Sequence, residues 1–432
     1  MGCGDIASFL TRLAPALGKN NQIKRCYLFS TRLHPHYANP YSSVDPSFTL
    51  IFKWLVTRLT LITHTRFGRT IGVPVMAVCW LLLRLIIVFW AIFKIDAFLF
   101  VSGKSLLPYG LDARLFRLMG KRVVHIYLGT SSRPRFMSAR WEKGFDTPEA
   151  MHWINKLRKR IGRQVKRLQH NGRCADVVID NPLCGHYHAA DFVDWFHIGF
   201  PGQHVKESVA APAAHSTSAS VRILHCPSVP EIKGSFEIEA VINELKNEGH
   251  SIEFIQLTGV PRTRVLEEIS RCNFVIDQLY SDSPLAGFAS EAAERGRMAV
   301  VGGYGWQALK KWMPEGMPVN GLCDPVNLKS LLKELLSNRD MLQDYGKEAL
   351  EFVNGYWGED QVATRLVKVL QGDIPPDWFC NPAELGYFLG LGADKEHRVR
   401  VIKSLINQYG VGALGPVSDE LVQAVNAQMC RK

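Results

Sequence analysis

The chain has 432 residues, 47% of them hydrophobic and 10% aromatic, which excludes a disordered chain and suffices for two or three domain cores. Ten cysteines with no C-x-x-C pair argue against a disulfide scaffold and a zinc site, and fit a reducing cytosol. The formal charge of +11 is unevenly spread: residues 1–204 hold 28 Lys and Arg against 11 Asp and Glu, the rest 23 against 29. A basic surplus confined to one half points to a phosphate-bearing partner or an anionic membrane surface, and no nucleic-acid-binding signature accompanies it.

In chain order, the first residues lack the continuous apolar core of a secretory signal, and Ile6 stands where a myristoylation start wants Ser or Thr. Strand-like runs follow at Cys26–Ser30, Ile95–Val101, Arg122–Leu128 and Ala175–Asp180. Between the first two lies Val73–Phe93, 21 residues with one charge, Arg84. Hydropathy alone nominates it as a transmembrane helix. A single crossing there would put two strands of one sheet on opposite sides of a membrane. The remaining choices are a helix buried against the sheet or one lying in the bilayer interface, with Arg58, Arg66, Arg69, Arg84 and Lys94 at its edges.

The segment Asp146-Thr147-Pro148-Glu149 starts a helix in which Ile154, Leu157, Ile161, Val165 and Leu168 form one stripe. Basic residues, Lys156 to Arg167, cover most of the rest, as on a solvated face or one drawn to anionic lipid. Residues 207–220 are small and polar without hydrophobic period, a linker. After it come the runs Val221–Cys226, Ser251–Leu257, Asn273–Leu279 and Met298–Gly303, separated by helix-length segments. Short apolar strands alternating with helices predict parallel sheets, so the expected fold is α/β with two Rossmann-like domains facing a cleft, residues 1–206 and 221–372, and a helical tail over 373–432.

The loop His225-Cys-Pro-Ser-Val-Pro-Glu-Ile-Lys-Gly-Ser places Lys233 and Gly234 between a strand and a helix. Ligands of open α/β sheets gather at the carboxyl ends of strands, and a lysine there suggests a phosphate. Asp277 and Gln278 end another strand at the same edge. In the first half, the turn Gly129–Arg135 offers Ser131 and Arg133 to an acceptor or donor phosphate. His125, inside a strand, reads as core. Ser102–Ser105 is no Walker loop, because Phe98 stands where its first glycine belongs.

The order of these signals resembles the donor-binding domain of GT-B glycosyltransferases of the retaining family 4 type: Lys233-Gly234, then Gly287-Phe288-Ala289-Ser290-Glu291-Ala292, then Gly296 and Val300-Val301. Weaker likeness reaches Asn39–Tyr41, Phe93–Leu107 and Leu118–Arg133, so that coverage is about residues 25–370. The resemblance implies that Lys233 binds the diphosphate of a nucleotide-sugar donor, a UDP- or GDP-sugar, with Gly234, Gly287, Phe288 and Ala289 near the phosphates. Glu291 is implied at the ribose hydroxyls, and Lys233, Asp282 and Glu291 in catalysis, with no metal. The family's E-x7-E pattern departs here: Ser283 stands at the first glutamate, which bears on catalysis and donor preference, and Asp282 is the neighbouring carboxylate. With the basic half and the apolar run, the implied acceptor is a lipid-linked saccharide, and the implied place the cytoplasmic face of an inner membrane. Two other readings stay open: a non-catalytic nucleotide- or glycan-binding protein of the same shape, and a single-span membrane protein.

Overall fold

The structure is a computed structural model that describes residues 1–3, 9–29, 73–103, 105–132, 148–202, 220–385 and 394–414, with isolated positions beyond. The expected linker, Arg133, Arg58, Arg66 and Arg69 lie outside the described residues.

Two sheets of mostly parallel strands form the frame. The first contains β1 (Gly2–Cys3), β2 (Leu28–Phe29), β3 (Ala97–Val101), β4 (Arg122–Ile126), β5 (Val177–Asp180) and β6 (Phe192–Asp194). The second contains β7 (Val221–His225), β8 (Ile252–Gln256), β9 (Phe274–Gln278), β10 (Met298–Gly302) and β11 (Leu322–Cys323). A last strand, β12 (Phe379–Cys380), pairs antiparallel with β6. The orders are β12-β6-β5-β4-β3-β1-β2 and β11-β10-β9-β7-β8. The apolar runs are explained by burial on both faces: Val123, Val124 and Ile126 of β4, and Phe274 and Val275 of β9, are fully buried.

Helices α1 (Phe9–Lys19), α2 (Val73–Lys94), α3 (Leu111–Leu118) and α4 (Pro148–Cys174) accompany the first sheet. The apolar helix α2 connects β2 to β3 of one sheet and packs Ile87, Val88 and Ala91 into its core. Its other face is open: Phe89 and Phe93 are 67% and 68% exposed. It is long and apolar enough to cross a membrane by composition, yet both flanking strands belong to one sheet. In α4 the stripe Leu157, Ile161, Val165 and Leu168 is buried as its spacing predicts, and Lys159, Arg160, Arg163, Lys166 and Arg167 are exposed.

The second sheet carries α5 (Ser235–Asn247), α6 (Arg262–Arg271), α7 (Gly287–Ala293), α8 (Leu328–Ser337) and α9 (Arg339–Gly355). The chain then returns to the first domain. Helix α10 (Glu359–Gln371), which the expected boundary at residue 372 placed with the second domain, packs Val362 and Leu366 in the core shared with Leu13 and Leu17 of α1. Helix α11 (Lys395–Tyr409) buries Val401, Ile402 and Leu405 in the core that holds α4, so the tail completes the first domain.

Where the two crossings meet, the Gly202 amide donates to the Trp357 carbonyl at 2.7 Å and the Glu359 amide to the Gly202 carbonyl at 3.1 Å. Trp357 is fully buried, and its indole N–H donates to the Phe196 carbonyl at 3.1 Å. Gly199, at φ +87°, leaves the room this ring needs: a Cβ there would lie 2.3 Å from the indole.

Candidate functional site

In the second sheet, β7 and β9 are neighbours, and successive strands depart from them in opposite directions. That is a topological switch point, where the connecting loops diverge and leave a crevice outside the carboxyl ends. His225 closes β7 at this crevice. The one-turn helix Pro230–Lys233, Gly234 and α5 follow it.

His225 fixes this loop. Its Nδ1 lies 2.7 Å from the Ile276 carbonyl, which can only accept, so Nδ1 carries the proton; Nε2, 2.8 Å from Ser235 Oγ, accepts from that hydroxyl. Burial holds its pKa down to about 4, so the ring is neutral at physiological pH. Gly234 adopts φ +75°, and a Cβ there would sit 2.7 Å from Leu279 Cβ, so the turn fits only glycine. The Leu279 amide donates to the Lys233 carbonyl at 2.9 Å, tying the loop to the end of β9.

The Lys233 ammonium donates to Gln278 Oε1 and lies 3.8 Å from Asp277 Oδ1. Asp277 is buried. Desolvation raises its carboxyl above the usual range, Lys233 opposes that, and Glu291 adds to it. The charges of Lys233 and Glu291 thus both act on Asp277 at the switch point.

The next loop carries Ser281, Asp282 and Ser283. The Ser281 hydroxyl accepts from the Gln278 side-chain amide and the Ser283 amide and donates to the Ser283 carbonyl, at 2.8, 3.1 and 2.8 Å. Asp282 is buried, and its carbonyl accepts from the Asn181 side chain of the first domain at 2.7 Å. Helix α7 then opens at Gly287 with no side-chain cap at Ala286, leaving the amides of Gly287, Phe288 and Ala289 without intrahelical acceptors. Such a start favours an anion.

Glu291, in the second turn of α7, is nearly buried, and both its neighbours through Oε1 are arginines: Arg12 at 2.8 Å and Arg262 at 2.7 Å. Arg12 comes from α1, also binds Glu294 at 2.7 Å, and stacks over Phe200 at 5.0 Å. The glutamate implied at a ribose is therefore also the post of an interdomain ion-pair cluster. Arg12 had no signal in the sequence.

On the first sheet, the Ser131 hydroxyl closes its own turn, bonding the Leu128 amide and carbonyl at 3.1 and 3.0 Å. His125 is fully buried between the rings of Phe100 and Tyr127, with its pKa lowered by burial to about 3, as expected of a core residue. A group that sequence reasoning missed stands at the end of β5. Asp180 Oδ2 accepts from His188 Nε2 at 2.7 Å, and Oδ1 accepts from the Ser132 hydroxyl and the Asn181 amide at 3.0 and 2.7 Å. Burial pushes the Asp180 carboxyl up, and the His188 bond opposes it. Because Asn181 holds the Asp282 carbonyl, this network is continuous with the second domain's crevice.

No protein-family model and no curated protein matches the sequence. Among solved structures the chain is similar to Anabaena Alr3699/HepE in complex with UDP-glucose, at 10% identity and TM-score 0.46, over 86% of this chain and 98% of that one. It is also similar to sucrose-phosphate synthase from Thermosynechococcus elongatus, at 13% identity and TM-score 0.43, over 86% and 98%. A third is an alpha-glucosyltransferase in complex with UDP-glucose and DNA containing an abasic site, at 12% identity and TM-score 0.37, over 64% and 80%. At these identities and scores no residue role and no activity passes from them to this chain.

Proposed function

We propose that this chain is a glycosyltransferase that takes a sugar from a nucleotide-sugar donor held at the β7–β9 switch point. The observation that carries the reading is Lys233, placed by a glycine turn and by His225 at the crevice where α7 also presents its first amides. In the reaction, the bond between the anomeric carbon and the donor diphosphate breaks, its electron pair leaving with the diphosphate, and an acceptor oxygen bonds that carbon and passes its proton to the departing diphosphate. Lys233 stabilises the negative charge that grows on the departing diphosphate. The amides of Gly287, Phe288 and Ala289 supply further donors at the phosphates, and Gly234 keeps the loop close.

Glu291 meets the nucleotide ribose through the carboxylate oxygen that Arg12 and Arg262 do not hold, and Asp282 supplies the carboxylate at the donor sugar. The donor is a UDP- or GDP-hexose, and the outcome is retention, as the family resemblance implies. The acceptor is a lipid-linked saccharide of the kind used in surface polysaccharide assembly, reached from the cytoplasmic face of a membrane. The basic first domain and the open apolar face of α2 support that side of the reading.

One observation favours a second reading, a nucleotide-binding protein without turnover: Ser283 replaces the expected acid, and Glu291 is occupied by two guanidiniums. Release of nucleoside diphosphate and transfer of radiolabelled sugar to extractable lipid, assayed over UDP- and GDP-sugars, separates the two. Turnover that Lys233→Ala abolishes supports the transferase; nucleotide binding with no turnover on any donor and lipid extract supports the second reading.

A further inference from the structure

The first sheet has its own switch point, since β1 lies between β2 and β3. A cavity of about 720 Å³ opens there, lined by Cys3 at the end of β1, Phe29 at the end of β2 and Gly103 just after β3. Four basic groups line it as well: Arg84 from α2, and Arg163, Lys166 and Arg167 from α4. Among the described residues none that lines it is acidic; the carboxylate behind the wall, Asp112, is fully buried, accepts from the Leu106 amide at 2.6 Å and acts on Arg84. Arg12 and Arg262, by contrast, are matched by Glu291. Arg163, Lys166 and Arg167 form no ion pair among the described residues. Like charges such as Arg163, Lys166 and Arg167, gathered at a concave site, are complementary to a multiply charged anion.

The same rim carries backbone strain. Ser102 and Tyr109 are the two non-glycine residues with positive φ among the described residues, at 58° and 57°, and they stand at either end of the segment that walls the cavity. The cavity also adjoins the open face of α2. Leu81 and Leu85, one turn before Arg84 and one residue after it, are both exposed, and the apolar surface continues through Ile86, Phe89 and Phe93. A second basic groove, lined by Arg158, Lys159, Arg163 and Lys166, extends from the cavity along α4.

We propose that this cavity binds the terminal phosphate of a membrane lipid, whose hydrocarbon lies beside the exposed face of α2. An apolar face alone suits any hydrocarbon, and a cationic pocket alone suits any phosphate. Only a phosphate-headed lipid satisfies both at one edge. Naming this lipid as the sugar acceptor rests on the transferase reading above; its binding does not.

The test is sedimentation with phosphatidylcholine vesicles containing phosphatidic acid, compared with vesicles brought to the same charge with phosphatidylglycerol. The wild-type chain is expected to prefer phosphatidic acid, and soluble inorganic diphosphate to weaken that preference. The triple variant Arg163→Ala/Lys166→Ala/Arg167→Ala is expected to lose roughly a hundred-fold in binding, about five-fold per side chain. Phe89→Ser/Phe93→Ser is expected to weaken binding to both vesicle types alike. Circular dichroism melting checks that these exposed substitutions leave the fold intact. Equal binding to the two vesicle types, or a triple variant that binds like wild type, overturns the proposal. Intact lipid preference without sugar transfer sinks the transferase reading instead and leaves this one standing.

Discussion

Arg12 and Glu291 lie 279 residues apart in the chain and 2.8 Å apart in the fold, and their ion pair joins α1 of the first domain to α7 of the second. Both are nearly inaccessible to water, and Glu294 shares the same guanidinium. Removing one member of a buried pair strands the other charge.

Arg12→Met is therefore expected to destabilise the protein by about 3–5 kcal/mol in urea unfolding. Adding Glu294→Gln to it recovers part of that loss, because the carboxylate that Arg12 held is then neutral while Glu291 keeps Arg262. Recovery smaller than the scatter between repeats would show that Arg12 and Glu294 do not act as a pair.

At the donor crevice, Lys233→Ala removes a charged donor from the phosphates while the turn at Gly234 stays in place. A charge-assisted hydrogen bond of this kind is worth about 1.5–3 kcal/mol, so titration calorimetry is expected to show nucleoside-diphosphate affinity falling roughly ten- to hundred-fold. The unfolding midpoint without ligand should fall as well, because buried Asp277 loses its cation, so affinity is read at a temperature where both chains are folded. Unchanged affinity removes Lys233 from the site.

Gly234→Ala acts on the same loop through its backbone. The left-handed conformation and the 2.7 Å approach to Leu279 Cβ both oppose a methyl group. The expected cost is about 1–3 kcal/mol of stability together with weakened nucleotide binding, since the Lys233 carbonyl would leave its bond to the Leu279 amide. Unfolding and calorimetry on one preparation read both effects.

Acid sensitivity follows from the buried histidines. The folded pKa of His125 is lowered to about 3 and that of His225 to about 4, from 6.5. Above pH 6.5 the rings are neutral in both states and their contribution is full. As pH falls below 6.5 the unfolded chain takes up protons that the folded chain refuses, so stability is lost down to about pH 4 for His225, by roughly 3 kcal/mol. Asp180, Asp194 and Asp277 act with the opposite sign, because burial raises their folded values and acid relieves the cost. A comparison with His125→Leu isolates one histidine. Neither ring nitrogen of His125 has a hydrogen-bond partner among the described residues, so this variant is expected to be at least as stable as wild type at pH 7 and to lose less stability between pH 6.5 and 4. Parallel stability–pH curves would contradict the assignment.

The sheets were legible because a strand buried on both faces must be apolar along its length, and eight such runs announce themselves. The strands β1, β6, β11 and β12 have two or three residues each, too few for a pattern, and β2, equally short, was legible only from the longer run Cys26–Ser30 around it. Lys233, Gly234 and the α7 start at Gly287 could be singled out as candidates because a glycine turn and a helix opening are local features. Arg12 was not, since nothing near position 12 records partners 279 and 282 residues away. The same holds for Asp180, His188 and Ser132, which three separate segments bring together. Residues 359–371 join the first domain for a related reason: the helix pattern shows an apolar stripe, and only the fold shows that the stripe meets α1.

The central claim is that a nucleotide diphosphate binds at Lys233 between β7 and β9, and the most direct measurement is thermal unfolding with a panel of UDP-, GDP-, ADP- and CMP-sugars. A ligand at about 100 times its dissociation constant adds about 2.7 kcal/mol, which raises the midpoint by several degrees. At least one UDP- or GDP-sugar is predicted to produce that rise in the wild-type chain and not in Lys233→Ala. A panel with no rise, or a rise that survives in Lys233→Ala, contradicts the account.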